Sequence, residues 1–248
     1  MMKIVNKIRD SYLIFCIYAL IGWLYEVLWM RFIVPPYKWI NRGVLIGPFL
    51  PIYGFGMLIL WILLKKIKIK KHTTNNYLYL IISTIVITTF IFITIIEYTT
   101  PKIYHVDIFF KKYGIILIIY NIIFIGLSYL IVKTNKKLRR VDVTWILIFL
   151  LIWIITTLIE YISHYMIETY SNKLLWDYTK DFLNINRRVN WDASRNFAIG
   201  GTFLLYFIQP IIDKYIIKNK NIIKNTISII IGIPMILDLI FHVILKIV

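Results

Sequence analysis

Three glutamates interrupt long apolar runs in this sequence, Glu26, Glu97 and Glu160, and each stands beside a tyrosine (Tyr25, Tyr98, Tyr161). A carboxylate in lipid is costly unless paired, so each marks either a site that handles a polar ligand or a structural ion pair. Both readings are open for Glu26 and Glu160, whereas Glu97, close to the end of its run, reads as a helix-end charge. Two polar knots follow these acids: Asn41-Arg42 after Glu26, and Asn186-Arg187-Arg188 after Glu160. Carboxylates, amides and arginines in one layer can bind a polar solute or a lipid headgroup. The candidate binding set is therefore Glu26, Asn41, Arg42, Glu160, Asp177, Asn184, Asn186 and Arg188. Glu160, His164 and Glu168 recur every fourth residue and share one helix face. Such a trio can ligate a metal, but it lacks the two-histidine pattern of a zinc protease helix and no second cluster answers it. It reads as a polar, water-facing stripe, with no metal and no cofactor expected.

Long helices must carry these residues. Of the 248 residues 60% are hydrophobic and only 17% charged, well off ordinary globular usage. Apolar runs of about 20 residues, enough to cross a bilayer, recur along the chain. They lack the two-residue alternation of barrel strands, and isoleucine-rich runs in lipid satisfy their backbone only as helices. The expectation is an all-α, polytopic transmembrane helical bundle of about seven spans, near 12–33, 43–64, 77–98, 113–132, 143–167, 196–217 and 226–243. The whole of 1–248 reads as a single integral membrane domain, with 168–195 as an extracytoplasmic cap segment. The first run is too long for a signal-peptide core and reads as a retained span. The last holds Asp238 and His242, which leaves room for an interfacial placement. Cys16 is the single cysteine, so an intrachain disulfide and cysteine-rich metal sites are excluded.

The net charge of +17 sits in loops, which is the footprint of topology and of anionic lipid headgroups; no nucleic-acid partner is implied. Placing the N-terminus inside puts 17 of the 29 Lys and Arg on that side, in the N-terminus and in 65–71, 133–140 and 214–224. With seven spans the C-terminus is then outside, and Glu26, Glu97 and Glu160 all fall in the outward halves of outward-going helices.

Residues 39–56 are the densest part of the chain in special backbone residues, with four of the ten glycines and two of the seven prolines. Gly43, Gly47, Pro51 and Gly54 form one small-residue stripe if the run is helical, and such stripes let another backbone approach closely. Residues 175–189 mix Trp, Tyr and Phe with acids, amides and arginines, too aromatic for a solvated linker, and read as a segment packed over the outer mouth. Each polar knot follows a glutamate-bearing span and precedes a glycine-bearing one, a weak parallel repeat of spans one–two in spans five–six. A phosphate-binding G-x-x-x-x-G-K-[ST] loop is absent from the sequence, as are G-x-S-x-G and H-E-x-x-H, so ATP hydrolysis by that route and two hydrolase classes are excluded.

Together these motifs resemble the bacterial ABC transporter permease family called type IV. Gly22-Trp23 and Glu26 match its G-W-x-x-E opening, and Asn41 to Gly56 match N-R-G-[FV]-L-x-G-P-x-x-P-I-Y-G-F-G almost throughout. Glu160-Tyr161 and Glu168 match a third motif, with His164 where serine is usual. Trp176-Asp177-Tyr178-Thr179 and Phe182, Asn184, Asn186, Arg188 and Val189 match the last two. Arg187 stands where the pattern has glycine, which weakens the case for a tight turn there. The two spans between the matching regions look like an insertion. The resemblance implies a multi-pass permease of the cell membrane without its own ATPase, with the bilayer, anionic headgroups and a separate ATPase subunit as partners. Its solute would be polar or lipid-like, bound in an outward-facing pocket. The alternatives are a membrane-embedded enzyme acting on lipid-linked envelope substrates, with Glu160 and either Glu26 or Asp177 as acid and base, and a non-catalytic envelope scaffold.

Overall fold

Apolar runs without internal alternation form helices in the computed structural model, which describes residues 2–33, 37–41, 45–69, 73–74, 76–100, 103, 105–134, 141–171, 174 and 176–247. The helices are α1 (Met2–Phe32), α2 (Pro51–Ile69), α3 (Asn76–Thr99), α4 (Val106–Thr134), α5 (Thr144–Ser171) and α6 (Trp191–Phe203). Helical backbone continues from α6 to residue 217, and a last rod covers 221–247. Five helical stretches are long and apolar enough to cross a membrane: Ile4–Phe32, Leu78–Thr99, Val106–Leu130, Thr144–Tyr170 and Asn221–Phe241. Pro51–Leu64 is a shorter apolar helix. A two-residue antiparallel ladder pairs Thr73 with Asp142 and Thr74 with Val141.

The second run is not helical over its described residues before Pro51. Residues 45–50 are bent chain and α2 begins at Pro51. The prolines explain this: Pro48 and Pro51 lack an N–H and push the residues before them out of helical backbone. The backbone groups of this stretch find other partners. Ile46 and Gly47 donate their N–H groups to the Asp238 carboxylate at 3.1 and 2.6 Å, and Leu50 donates to the Ala19 carbonyl at 2.9 Å. Pro51 then stands at the first helical position, where a missing N–H costs nothing. Gly47 therefore lies in a loop and Gly54 in α2, while Gly43 falls outside the described residues.

The chain divides into two compact units, 1–63 with 203–248, and 64–202. In the first, Phe15, Cys16, Ala19, Leu45, Phe49 and Met235 form a buried cluster. Gly22 and Gly54 bring α1 and α2 together: a Cβ on Gly54 would lie 2.6 Å from the Phe15 carbonyl oxygen, and one on Gly22 would lie 2.3 Å from the Tyr53 ring. Three π-helical turns (Leu204–Ile208, Asp213–Ile217 and Ser228–Gly232) interrupt the C-terminal rods. Pro210 and Pro234 each follow such a turn by two residues, and a proline shifts helical register because it removes one i→i−4 bond. Tyrosines of α1 satisfy groups exposed there: Tyr12 donates to the Gly232 carbonyl at 2.7 Å and Tyr18 to Gln209 Oε1 at 2.9 Å.

In the second unit, α3 and α4 form a hairpin joined by polar side chains. Thr84 meets Ser128 at 2.8 Å, and Asn121 accepts from Thr88 at 2.8 Å while donating to Thr89 at 3.2 Å. Such pairs hold helices together in lipid, where apolar contact gives little preference for protein over acyl chain. Phe92, Ile93, Ile103, Phe109, Phe182, Leu183 and Trp191 form the unit's buried core.

Candidate functional site

The polar residues of the second unit gather at the C-terminal part of α5, beneath the segment 176–190. This segment folds by local hydrogen-bond chemistry. Asp177 Oδ1 accepts the Thr179 N–H at 2.9 Å and the Thr179 hydroxyl at 2.5 Å, an Asx turn. Asn184 donates to the Thr179 and Asp181 carbonyls at 3.2 and 3.3 Å and accepts the Arg187 N–H at 3.2 Å. Asn190 caps α6, its side-chain oxygen accepting the Ala193 N–H at 2.7 Å, while its amide donates to Asp181 at 3.0 Å. Apolar anchors hold the segment down: Phe182 and Leu183 are buried, and the Leu183 N–H donates to the Ile103 carbonyl at 3.1 Å.

A tight turn does form at Arg187, against the expectation from its departure from glycine. Asn186 and Arg187 have φ of 50° and 58°, and the Arg188 N–H closes the turn on the Ile185 carbonyl at 3.0 Å. Positive φ at both central residues is what a type I′ turn requires, and it explains a preference for Asn-Gly. Arginine occupies the left-handed conformation here, with its guanidinium paired to Glu168.

The turn delivers its side chains to α5. Arg188 donates to Glu168 Oε2 from Nη2 at 2.9 Å and from Nε at 3.2 Å, and from Nη1 to the Tyr161 hydroxyl at 3.2 Å. Its guanidinium also sits 5.4 Å from the centre of the Tyr161 ring and 5.1 Å from that of Tyr165, within cation–π range. Asn186 donates to the same Tyr161 hydroxyl at 3.0 Å. The Glu168 carboxylate raises the Arg188 pKa above its ordinary value. Asp177 is held below the usual carboxylate range, first by the Thr179 hydroxyl and then by the Thr179 N–H.

Deeper along the face lie His164 and Glu160, 2% and 5% exposed. His164 Nε2 is 2.9 Å from the Trp176 carbonyl oxygen. A carbonyl only accepts, so Nε2 carries the hydrogen. The other nitrogen, Nδ1, lies 3.6 Å from Glu168 Oε2 and makes no hydrogen bond. Glu160 Oε1 accepts the Tyr178 hydroxyl at 3.1 Å, while its Oε2 is buried with no hydrogen-bond partner among the described residues. Trp176 ties the two layers, donating its indole N–H to the Arg188 carbonyl at 2.9 Å.

Of the candidates, then, Glu160, Asn186 and Arg188 come together on α5 through Tyr161, Tyr178 and Glu168, whereas Asp177 and Asn184 build the turns of the overlying segment. Glu26 and Asn41 belong to the other unit. Glu26 accepts the Tyr53 hydroxyl at 2.6 Å. Asn41 accepts the Trp23 indole N–H at 2.6 Å and donates to the Ile46 carbonyl at 2.8 Å, so it fastens the bent stretch to α1. Arg42 lies outside the described residues. Glu97 pairs with Arg195 at 2.5 Å, and Arg195 also meets Asp192. Among the described residues no group of three or more His, Cys, Asp or Glu is arranged to hold a metal ion. Sequence reasoning passed over Tyr53, Tyr178 and Asp238, whose partners lie far along the chain; the tyrosine beside each span glutamate was the nearest signal. An apolar recess of about 250 Å³, lined among others by Phe90, Trp145, Phe149 and Ile199, lies between α3, α5 and α6 and carries none of the candidate residues.

The sequence model of the family described as putative ABC-transporter type IV matches residues 13–112 and 109–243. No curated protein and no solved structure matches the chain.

Proposed function

The chain belongs to the putative ABC-transporter type IV family, and on that premise we propose that it is a permease subunit that leaves ATP hydrolysis to a separate partner and handles a polar or lipid-like solute at the membrane surface. The observation that carries this reading is the layered polar cluster on α5. A bilayer-length helix holds a buried glutamate and histidine under a folded segment, and an Arg-carboxylate pair sits between them and its rim. Span helices keep such groups where a polar ligand or ion is handled. With the N-terminus inside, as the basic loops favour, the C-terminal end of α5 and the segment above it face outward at the cell membrane. The opposite loops, rich in Lys and Arg, then meet anionic headgroups and offer a basic surface to a partner ATPase. The segment 176–190 acts as a lid over the cluster, closed in the structure by Arg188, Tyr178 and Trp176.

The test is affinity purification of the full-length chain from its native membrane, followed by reconstitution of what copurifies into vesicles. An ATPase subunit is expected to copurify, and ATP is expected to drive translocation of a fluorescent phospholipid or release of an entrapped polar solute mixture. Copurification of no ATPase, together with no ATP-dependent movement of either probe, overturns the proposal.

A further inference from the structure

Glu160 and His164 each bury a polar atom that finds no hydrogen bond among the described residues. Glu160 Oε2 and His164 Nδ1 meet neither a donor nor solvent, and their residues are 5% and 2% exposed. Both atoms are acceptors: a carboxylate oxygen has no hydrogen, and the Nε2 hydrogen of His164 is committed to the Trp176 carbonyl. Two buried acceptors one helical turn apart call for an electropositive occupant. Leaving an ionised acid with an orphan oxygen in a span costs several kcal/mol. An occupant with volume needs a cavity, and the protein is closed over these atoms. A proton needs none.

The third residue of the face supplies the entrance. Glu168 is the least buried of the three, with its side chain 23% exposed, and its Oε2 is 3.6 Å from His164 Nδ1. Glu160 and Glu168 are eight residues apart on α5, which is a rise of about 12 Å. Of the three, Glu168 alone is open to solvent to this extent, while His164 and Glu160 are both closed off, at 2% and 5% exposed.

From these observations we infer that Glu160 is a buried proton-binding site, reached from the outer rim along Glu168 and His164. A proton arriving from solvent is taken by His164 Nδ1, beside the Glu168 carboxylate that stabilises the resulting imidazolium. It is passed on to Glu160 Oε2, leaving His164 neutral and the carboxyl protonated, so one proton has been moved and no other bond has changed. The charged and titratable groups facing the line are Tyr178, Asp177, Arg187 and Arg188 from the overlying segment, and Tyr161 and Tyr165 from α5 itself. Those on the neighbouring helices, Glu97 of α3 with Asp192 and Arg195 of α6, pair with one another. Arg187 and Arg188 are both held by Glu168, which leaves the deeper pair without a cation of its own. This inference rests on the geometry of the α5 face and not on solute movement, so it can stand or fall independently of the permease reading.

The experiment is infrared difference spectroscopy of the full-length chain in lipid nanodiscs as pH is lowered. The expected result is a protonated-carboxyl C=O band that is lost in Glu160→Gln. In Tyr178→Phe, which removes the Tyr178 hydrogen bond to Oε1 and leaves the acid in place, the band shifts to higher frequency; this variant decides the assignment if Glu160→Gln does not fold. In His164→Leu the deuterium exchange of the band slows several-fold. Absence of a protonated-carboxyl band in the wild-type chain at any pH at which it stays folded, or a band unmoved by Tyr178→Phe and retained in Glu160→Gln, overturns the assignment. Unchanged exchange in His164→Leu overturns the route through His164.

Discussion

Replacing Arg187 by alanine and by glycine separates backbone strain from charge at the turn between Ile185 and Arg188. Both changes delete the guanidinium that pairs with Glu168, and they differ in the Cβ alone. With Arg187 at φ 58°, alanine keeps a Cβ crowded against the following carbonyl at a cost of roughly 1–2 kcal/mol, and glycine removes it. Glycine gives back about 0.5–1 kcal/mol through its greater freedom in the unfolded chain. The glycine variant is therefore expected to hold the turn better than the alanine variant by about 0.5–1 kcal/mol, a roughly two- to fivefold difference in local opening. This reverses the order found in a helix interior. The lost ion pair weighs equally on both; with the Arg187 side chain 44% exposed, it is worth about 0–1 kcal/mol. The glycine variant should thus lie near the wild type and the alanine variant below it. The assay is amide hydrogen exchange in nanodiscs, read at the Arg188 N–H, which closes the turn on Ile185, and at the Tyr178 N–H, which donates to the Arg187 carbonyl at 3.0 Å. If alanine protects these two amides as well as glycine does, the left-handed backbone is not what governs this turn, and the reasoning fails.

Three further outcomes follow from the same structure. Gly54→Ala should destabilise the first unit by about 1–3 kcal/mol through overpacking, because its Cβ would meet backbone at 2.6 Å, whereas Gly56→Ala, with nothing within 4 Å, should be close to neutral; thermal unfolding in detergent compares the two. Arg188→Lys should loosen the hold of segment 176–190 on α5 by about 1–2 kcal/mol, since lysine loses the forked contact to Glu168 and the stacking on Tyr161 and Tyr165; a double-mutant cycle with Glu168→Gln, read by exchange at the Arg188 amide, measures the coupling. Asp177 has its pKa lowered by Thr179 from an ordinary value of 3.8, so its contribution to the Asx turn is fully present above that value and is lost as pH falls through the lower folded value. The Thr179 amide resonance should accordingly titrate with a midpoint below 3.8, and a midpoint at or above it would contradict the turn.

The sequence by itself determined class and local grammar. Apolar runs of bilayer length without alternation leave the backbone only one way to satisfy itself, so the long helices were legible to within a few residues at α3 and α5. Where an outcome depends on one residue's own stereochemistry, as with Pro51 opening α2 or Asn190 capping α6, residue type carries the signal. Pairing was another matter. Glu168 meets arginines 19 and 20 residues away, and Asp238 receives the N–H groups of Ile46 and Gly47 from 192 and 191 residues away. A carboxylate accepts equally well from an arginine, a tyrosine or a backbone N–H, so composition cannot choose among them; the path of the chain does. That is why Asp177 and Asn184, grouped in sequence with the binding candidates, are turn builders in the fold, and why residues 45–50, apolar enough to read as helix but holding Pro48 and preceding Pro51, bend instead around an acid near the far end of the chain. It is also why the arginine at a glycine position has a partner: local preference argues against a side chain there, and the Glu168 carboxylate beside its guanidinium is supplied only by the tertiary structure.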